Sequence, residues 1–287
     1  MTAASDRRPV PPCANGSNDI ITGPDVADPP PASTWVDSVI TEFTAGEAAA
    51  YAAVTMSIGG RTFTSSRLGL SMSDGSSPSF YGNIAHLRGP LRDDDHRLLA
   101  DALISFFGAG PGGPFLFFAP WPTGDLGRAG FTHAGNPPLM VRTGDQPDPE
   151  AVPLEIREVR DPDDLAIFER TLISSYPVPG LEGSNGPGVL LGPGVLATGW
   201  RFFVGYEDGR PVATSAVFPT ESLAVVEMIS TRADRRGNGF GAAMTEVVCR
   251  CDNTRTAALL ASDLGRPVYE RLGFIAIARQ TLWIGNR

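Results

Sequence analysis

The apolar positions of the chain change period from stretch to stretch, and one stretch carries the sharpest change. Residues 223–231 (LAVVEMIST) form a near-continuous apolar run rich in β-branched side chains and predict a buried strand. A polar loop with Arg232, Arg235 and Arg236 follows, then Gly237, Gly239 and Gly241, spaced by single residues. Phe240, Ala243, Met244, Val247, Val248 and Cys251 recur at the spacing of one face of an amphipathic helix. Residues 257–261 are apolar again and suit a parallel strand returning beside the first. Strand, glycine loop and helix make an anion cradle. Glycines admit close backbone approach, and the N–H groups at a helix start carry about half a positive charge.

The rest of the chain divides around this stretch. Residues 1–33 are rich in Pro, Ser, Asp and Gly and predict a disordered or mobile arm. Helical character begins near Trp35 and runs toward Met56. Residues 62–72 and 79–88 read as two strands around a turn at 73–78. Asp93, Asp94 and Asp95 cap a helix, where the dipole favours acids, with Leu98, Leu99, Ala102, Leu103 and Phe106 on its apolar face. Residues 115–119 and 138–141 are further apolar strands, and 144–153 reads as a linker. Beyond it come a short strand at 154–159 and a helix from Pro162, capped by Asp161, with Leu165, Phe168, Leu172 and Ile173 inward. A segment crowded with Gly and Pro, 177–199, precedes a hairpin of 200–206 and 211–218 that turns at Asp208-Gly209. Residues 274–284 supply the last strands.

Composition narrows the function. A length of 287 residues suffices for two domains of ordinary size. A net charge of −9 argues against general nucleic-acid binding, and no apolar run reaches membrane-spanning length. The three cysteines are Cys13, Cys249 and Cys251. An odd count with two in one predicted helix suits reduced thiols in cytoplasm better than a disulfide framework or a metal site. All 23 basic residues are arginine, so the cradle cannot be a P-loop, which needs lysine. Gly237, Gly239 and Ala242 fit the dinucleotide pattern G-x-G-x-x-A, with Asp263 about 20 residues on. Residues 232–236 nevertheless separate the strand from its first glycine, and too little chain follows Asp263 for the other half of that fold.

Arg236, Gly239 and Gly241 stand in the order R-x-x-G-x-G between strand and helix. Ser262 lies seven positions before Tyr269, and Gly273-Phe274 follows. Together these resemble the acyl-CoA site of the GNAT N-acetyltransferase superfamily. The resemblance implies an α/β (α+β) chain of two GNAT-like domains, each a mixed, mostly antiparallel sheet flanked by helices. Residues 34–143 would be a degenerate domain without a glycine loop between Arg88 and Asp94. Residues 154–287 would be the catalytic domain, with a splayed parallel strand pair. Acetyl-CoA is the implied co-substrate, no metal is needed, and the acceptor is a small-molecule or peptide amine. No nucleic-acid or membrane partner is implied, and a homodimer is left open.

By the same resemblance, pantetheine would meet Ile229, Ser230 and Thr231. The pyrophosphate would meet Arg236, Gly237, Asn238, Gly239, Phe240 and Gly241, with charge added by Arg235 and Arg236. Ser262 would contact the pantetheine or Tyr269, and 177–199 would cover the acceptor pocket. Tyr269 is the implied proton donor to the departing thiolate. Glu227, the carboxylate within the central strand, is the candidate base. The competing readings are a catalytically idle acyl-CoA-binding or regulatory protein and a nicotinamide-dependent oxidoreductase.

Overall fold

A computed structural model, describing residues 34–144, 151–176, 180–181, 187–252 and 254–287, arranges the chain as two mixed sheets on either side of one long helix. The expected arm at 1–33 lies outside the described residues, as does most of the expected linker. The first half runs α1 (Thr34–Ser57), β1 (Arg61–Ser65), β2 (Leu70–Asp74), β3 (Asn83–Leu87), α2 (His96–Gly108), β4 (Phe115–Ala119), β5 (Thr132–Gly135) and β6 (Pro138–Arg142). The second runs β7 (Glu155–Glu158), α3 (Pro162–Ser175), β8 (Arg201–Glu207), β9 (Arg210–Pro219), β10 (Leu223–Thr231), α4 (Phe240–Arg250), β11 (Thr256–Leu260), α5 (Arg266–Arg271), β12 (Ile275–Arg279) and β13 (Thr281–Gly285). Each half has one parallel pair joined through a helix: β3 with β4 through α2, and β10 with β11 through α4.

Sheet membership does not follow chain order. The first sheet is ordered β1-β2-β3-β4-β13-β5 and the second β12-β6-β11-β10-β9-β8-β7. Each half therefore lends its last strand to the other, β6 to the second sheet and β13 to the first. The two crossings touch, because the Gln280 N–H donates to the Pro137 carbonyl at 3.1 Å. Ion pairs fasten both exchanged strands. Arg142 on β6 makes a bidentate pair with Glu246 on α4, both side chains 5% exposed. Arg287, just past β13, reaches Asp74 at 2.6 Å at the end of β2, where Arg61 also binds.

Helix α1 is the wedge between the sheets. Its Val39 and Phe43 pack on Val141, Leu223, Val225 and Ala258 of the second sheet. Tyr51 packs beside Ile84, Leu116 and Leu282 of the first. Complete burial of a side chain such as Phe43 contributes about 2–3 kcal/mol. The second sheet carries α4 on one face and α1 with α3 on the other.

Three local expectations are corrected. Residues 62–72 form a hairpin, not one strand, because Gly69 at φ 58° lets the chain turn between β1 and β2. Asp95 makes no side-chain cap on α2. Its carboxylate pairs with Arg67 at 2.8 Å instead. The buried face of α2 is Leu99, Leu103 and Phe107, with Leu98 38% exposed, because Phe107 stacks on Phe115 of β4 at 3.9 Å. The Asp161 cap and the Asp208-Gly209 turn stand as read, the latter with both residues at positive φ.

Removing Arg142 leaves the buried Glu246 carboxylate with the half-exposed Arg250, at 2.9 Å, as its remaining ion-pair partner and strips away its bidentate one. Arg142→Ala is therefore expected to lower stability by about 3 kcal/mol and the melting temperature by roughly 5–10 °C. Arg128→Ala, at an exposed pair with Asp125, is the control and should change stability by less than about 0.5 kcal/mol. Equal melting temperatures for the two variants by calorimetry would refute the assigned role of Arg142.

Candidate active site

Strand alternation aims the first functional side chain. Leu223, Val225 and Glu227 of β10 turn toward α1, and Ala224 and Val226 toward α4. Pairing of β10 with β11 ends at Val225–Ala258, although both strands run on. On the other side of β10 the register with β9 shifts between Glu227 and Ser230. Met228 in this bulge sits at φ 53°, a conformation that costs a non-glycine residue on the order of 1 kcal/mol or more. Thr214 holds it there: its hydroxyl donates to the Met228 carbonyl at 2.8 Å and meets the Ser230 hydroxyl at 2.7 Å. Ser230 thus spends its side chain on β9, leaving its backbone as the part available to a ligand. Ile229 lines the cavity that the parting strands open.

The glycine loop follows at the end of β10. Gly237 and Gly239 have φ of 83° and 79°, and Gly239 directly precedes α4. The Asn238 side-chain amide donates to the Arg235 carbonyl at 3.0 Å and closes the turn. Phe240 buries its ring in the core with Met244 and Val248, so its contribution to the cradle is its N–H. As the first turn of α4, Phe240, Gly241 and Ala242 have no carbonyl one turn back to receive their N–H groups. The two arginines have protein partners. Arg236 donates to the carbonyls of Thr231 (3.2 Å) and Ser175 (3.1 Å), tying the loop to β10 and α3. Arg235 pairs with Glu207 at 2.6 Å.

The parted strands lead into a cavity of about 180 Å³ between the two sheets. Its walls include Glu47, Tyr51, Tyr81, Tyr176, Glu227, Ser262 and Tyr269, set among apolar residues from both halves. The Tyr51 hydroxyl donates to Glu227 Oε2 at 2.9 Å. Burial pushes the Glu227 carboxyl up to about 7, with Tyr51 and Glu47 drawing it back. Glu47 is raised well above the carboxylate range, first by burial and then by Glu227, and is the protonated member of the pair. Behind it, His86 Nε2 lies 3.8 Å from Glu47. Burial, then Arg88, pushes His86 down to about 3, so it is neutral. The Tyr269 phenol is raised by burial, then by Glu227, Tyr176 and Cys249, and keeps its proton throughout the neutral range.

Glu227 and Tyr269, predicted separately, thus share one cavity. Ser262 lines it too, but its hydroxyl accepts the Gly265 N–H at 3.1 Å and starts the turn into α5. Leu190 and Leu191, from the segment expected to cover the pocket, form part of the wall. Sequence reasoning missed Glu47 and Tyr51. The signal was present: the two are four apart on one face of an alanine-rich helix, where polar groups have no local use. The first half, read as degenerate, has no positive-φ glycine between Arg88 and Asp95, yet it builds one side of the site.

No family model and no curated protein matches the chain. Solved structures do. It is similar to a GCN5-related N-acetyltransferase from Kribbella flavida, at 16% identity over 83% of this chain and 95% of that one, with a TM-score of 0.57. A conserved protein of unknown function from Staphylococcus epidermidis shows 12% identity over 80% and 95%, with a TM-score of 0.58. A GNAT-family protein from Novosphingobium aromaticivorans shows 18% identity over 79% and 91%, with a TM-score of 0.51. Likeness at such identities is likeness of fold. The chain has the GNAT fold, built as two α+β halves with mixed, mostly antiparallel sheets. Among the described residues no helix is long and apolar enough to cross a membrane.

A carboxyl raised from 4.5 to about 7 binds a proton in the folded state that the unfolded chain has already released. Stability from this group is full below about pH 4.5 and is lost as pH rises through about 7. Glu227→Gln removes the dependence and keeps an acceptor for Tyr51. The variant should gain on the order of 2 kcal/mol relative to the parent between about pH 5 and pH 8, measured by urea unfolding. A constant difference across that range would mean Glu227 titrates normally.

Proposed function

We propose that the chain is an acetyl-CoA-dependent N-acetyltransferase that moves an acetyl group directly to an amine. In this reading residues 154–287 hold the co-substrate and 34–143 complete the acceptor side without binding it. The observation that carries the reading is the continuity of the site. The glycine loop follows β10 in the chain, β10 has parted from β11 beyond Val225, and the parted ends of both strands line the cavity with Glu227 and Tyr269. The residues present suit acetyl-CoA. A Cβ on Gly239 would lie 2.9 Å from Val152 and would need a positive φ, while the Gly237 side is open. The backbone of 236–241 would hold the pyrophosphate, and the backbone of Ile229, Ser230 and Thr231 the pantetheine amides. Acetyl-CoA, when bound, supplies an acetyl group activated as a thioester. The free thiols of Cys249 and Cys251 suit a reducing compartment such as cytoplasm.

The protein's own groups then divide the proton work. Glu227 takes one proton from the acceptor ammonium and passes it to solvent, leaving a neutral amine. N–H groups of the bulge donate to the carbonyl oxygen as charge develops there. Tyr269 gives its proton to the sulfur as the C–S bond breaks. The second amine proton, released as the C–N bond forms, restores it. The raised phenol of Tyr269 suits a donor that must stay protonated until sulfur leaves.

Two variants test this reading. Gly239→Val should abolish acetyl-CoA binding by calorimetry while circular dichroism stays native, since a branched side chain crowds Val152 and cannot hold the positive φ without strain, which shifts the loop backbone. Undiminished affinity in the folded variant would sink the assignment of the cradle. Tyr269→Phe keeps the ring's packing and should lower kcat by about 10²–10⁴-fold, with little change in KM for acetyl-CoA. Parental turnover, with chemistry rate-limiting, would make Tyr269 a packing residue.

A further inference from the structure

We propose that Tyr51 and Glu47 of the first half are positioning residues for the base. Their two hydrogen bonds decide which of the cavity's two carboxyls carries the negative charge, and they keep it on Glu227. The inference rests on the acetyl-transfer reading of this cavity and gives the half without a glycine loop a part in it.

Two buried carboxyls in contact share one proton near neutral pH, because both cannot ionise side by side away from water. Glu47 and Glu227 are such a pair, hydrogen-bonded to each other. A third group breaks the tie. The Tyr51 hydroxyl donates to Glu227 Oε2 at 2.9 Å. Burial, then Glu227 and Glu47, hold this phenol well above its ordinary range, so it donates and does not ionise. Its ring is fixed by stacking on His86 at 5.9 Å, and His86 stacks in turn on Phe118 at 5.6 Å. Glu47 has no matching donor. Its Oε2 is a buried atom without a hydrogen-bond partner, His86 Nε2 lying 3.8 Å away. Burial and then Glu227 raise Glu47, and Gln280, the smallest influence on it, draws the other way.

The carboxyl that accepts a hydroxyl proton is the better seat for charge. The carboxyl without such a donor keeps the shared proton and offers it as a second hydrogen bond. Glu227 therefore accepts from two donors, and both come from α1. No other charge on the cavity intervenes. Tyr81, Tyr176 and Tyr269 face it with phenol groups, and its described lining includes no arginine or histidine. Opposite Glu227 on β9 stands Ala216, and His86, behind Glu47, is neutral. Without the two donors burial alone governs Glu227, which then stays protonated and idle as a base at neutral pH.

The test reads the titration of Glu227 directly, in the full chain carrying ¹³C in its glutamate carboxyls. The Glu227 resonance is the one absent from Glu227→Gln. Its midpoint should rise by about one to two pH units in Tyr51→Phe and in Glu47→Leu, each of which removes one donor to the charged form. In Glu47→Gln, whose amide still donates, it should stay close to the parent. Thiol release from acetyl-CoA, with methylamine as the probe acceptor, is followed against pH in the parent and Tyr51→Phe. The ratio of kcat/KM, variant to parent, should fall about tenfold or more at pH 7 and recover toward pH 9. An unmoved Glu227 midpoint in Tyr51→Phe and Glu47→Leu overturns the inference. An equal rise in Glu47→Gln and Glu47→Leu overturns it for Glu47, whose role is then packing. A midpoint that rises while the rate ratio stays flat with pH upholds the positioning and removes Glu227 as the base of acetyl transfer. Should the parent release no thiol with methylamine, the titration alone decides.

Discussion

A carboxyl group taken out of water needs a proton, a counter-charge or a set of donors, and Glu227 has been given the least generous version of each. Its support is one tyrosine hydroxyl and a neighbouring carboxyl that holds the proton. This arrangement works only because α1 lies between the two sheets and brings Glu47 and Tyr51 to the strand that carries Glu227. The bulge at Met228, the parting of β10 from β11 and the close packing of α1 on the second sheet all keep that meeting point in register. The group is left poised near neutral pH instead of being locked by an arginine, as Glu246 and Asp74 are elsewhere in the molecule.

The contrast among the buried carboxylates is informative. Glu246 and Asp74 hold exchanged strands, Glu169 holds the 188–191 loop through three amides, and each is fully satisfied by its partners. Glu47, whose Oε2 has no hydrogen-bond partner among the described residues, and Glu227, held by Tyr51, are the pair that lines the cavity. Polar groups spent on architecture and polar groups available for chemistry are thus separated by whether the chain itself meets their bonding needs.

What was legible in the sequence was local. The glycine loop, the Asp161 cap, the Asp208-Gly209 turn and the β10 run each follow from neighbouring residues, and each stands in the structure. The turn at Gly69 was missed because Leu68, Leu70 and Met72 alternate across it, so the strand periodicity ran through it. The face of α2 was misjudged by about one position because its partner, Phe115, is supplied by a later strand. The composite cavity was out of reach for a stronger reason: Tyr51 and Glu227 are 176 positions apart and no local pattern links them. The acceptor side was legible as residue types but not as a place.

The exchange of last strands also governs how the molecule can come into being. A chain is made from its N-terminus, and a first domain ordinarily folds while the second is still being synthesised. Here β4 and β5 are separated in their sheet by β13, whose last residue is Gly285. Until that strand exists, both present open edges of the kind that pair with other chains. Completion of the first half therefore waits until β13 has been made. The two halves reach the native state together, and a break anywhere in the last strand unfinishes the half that was made first.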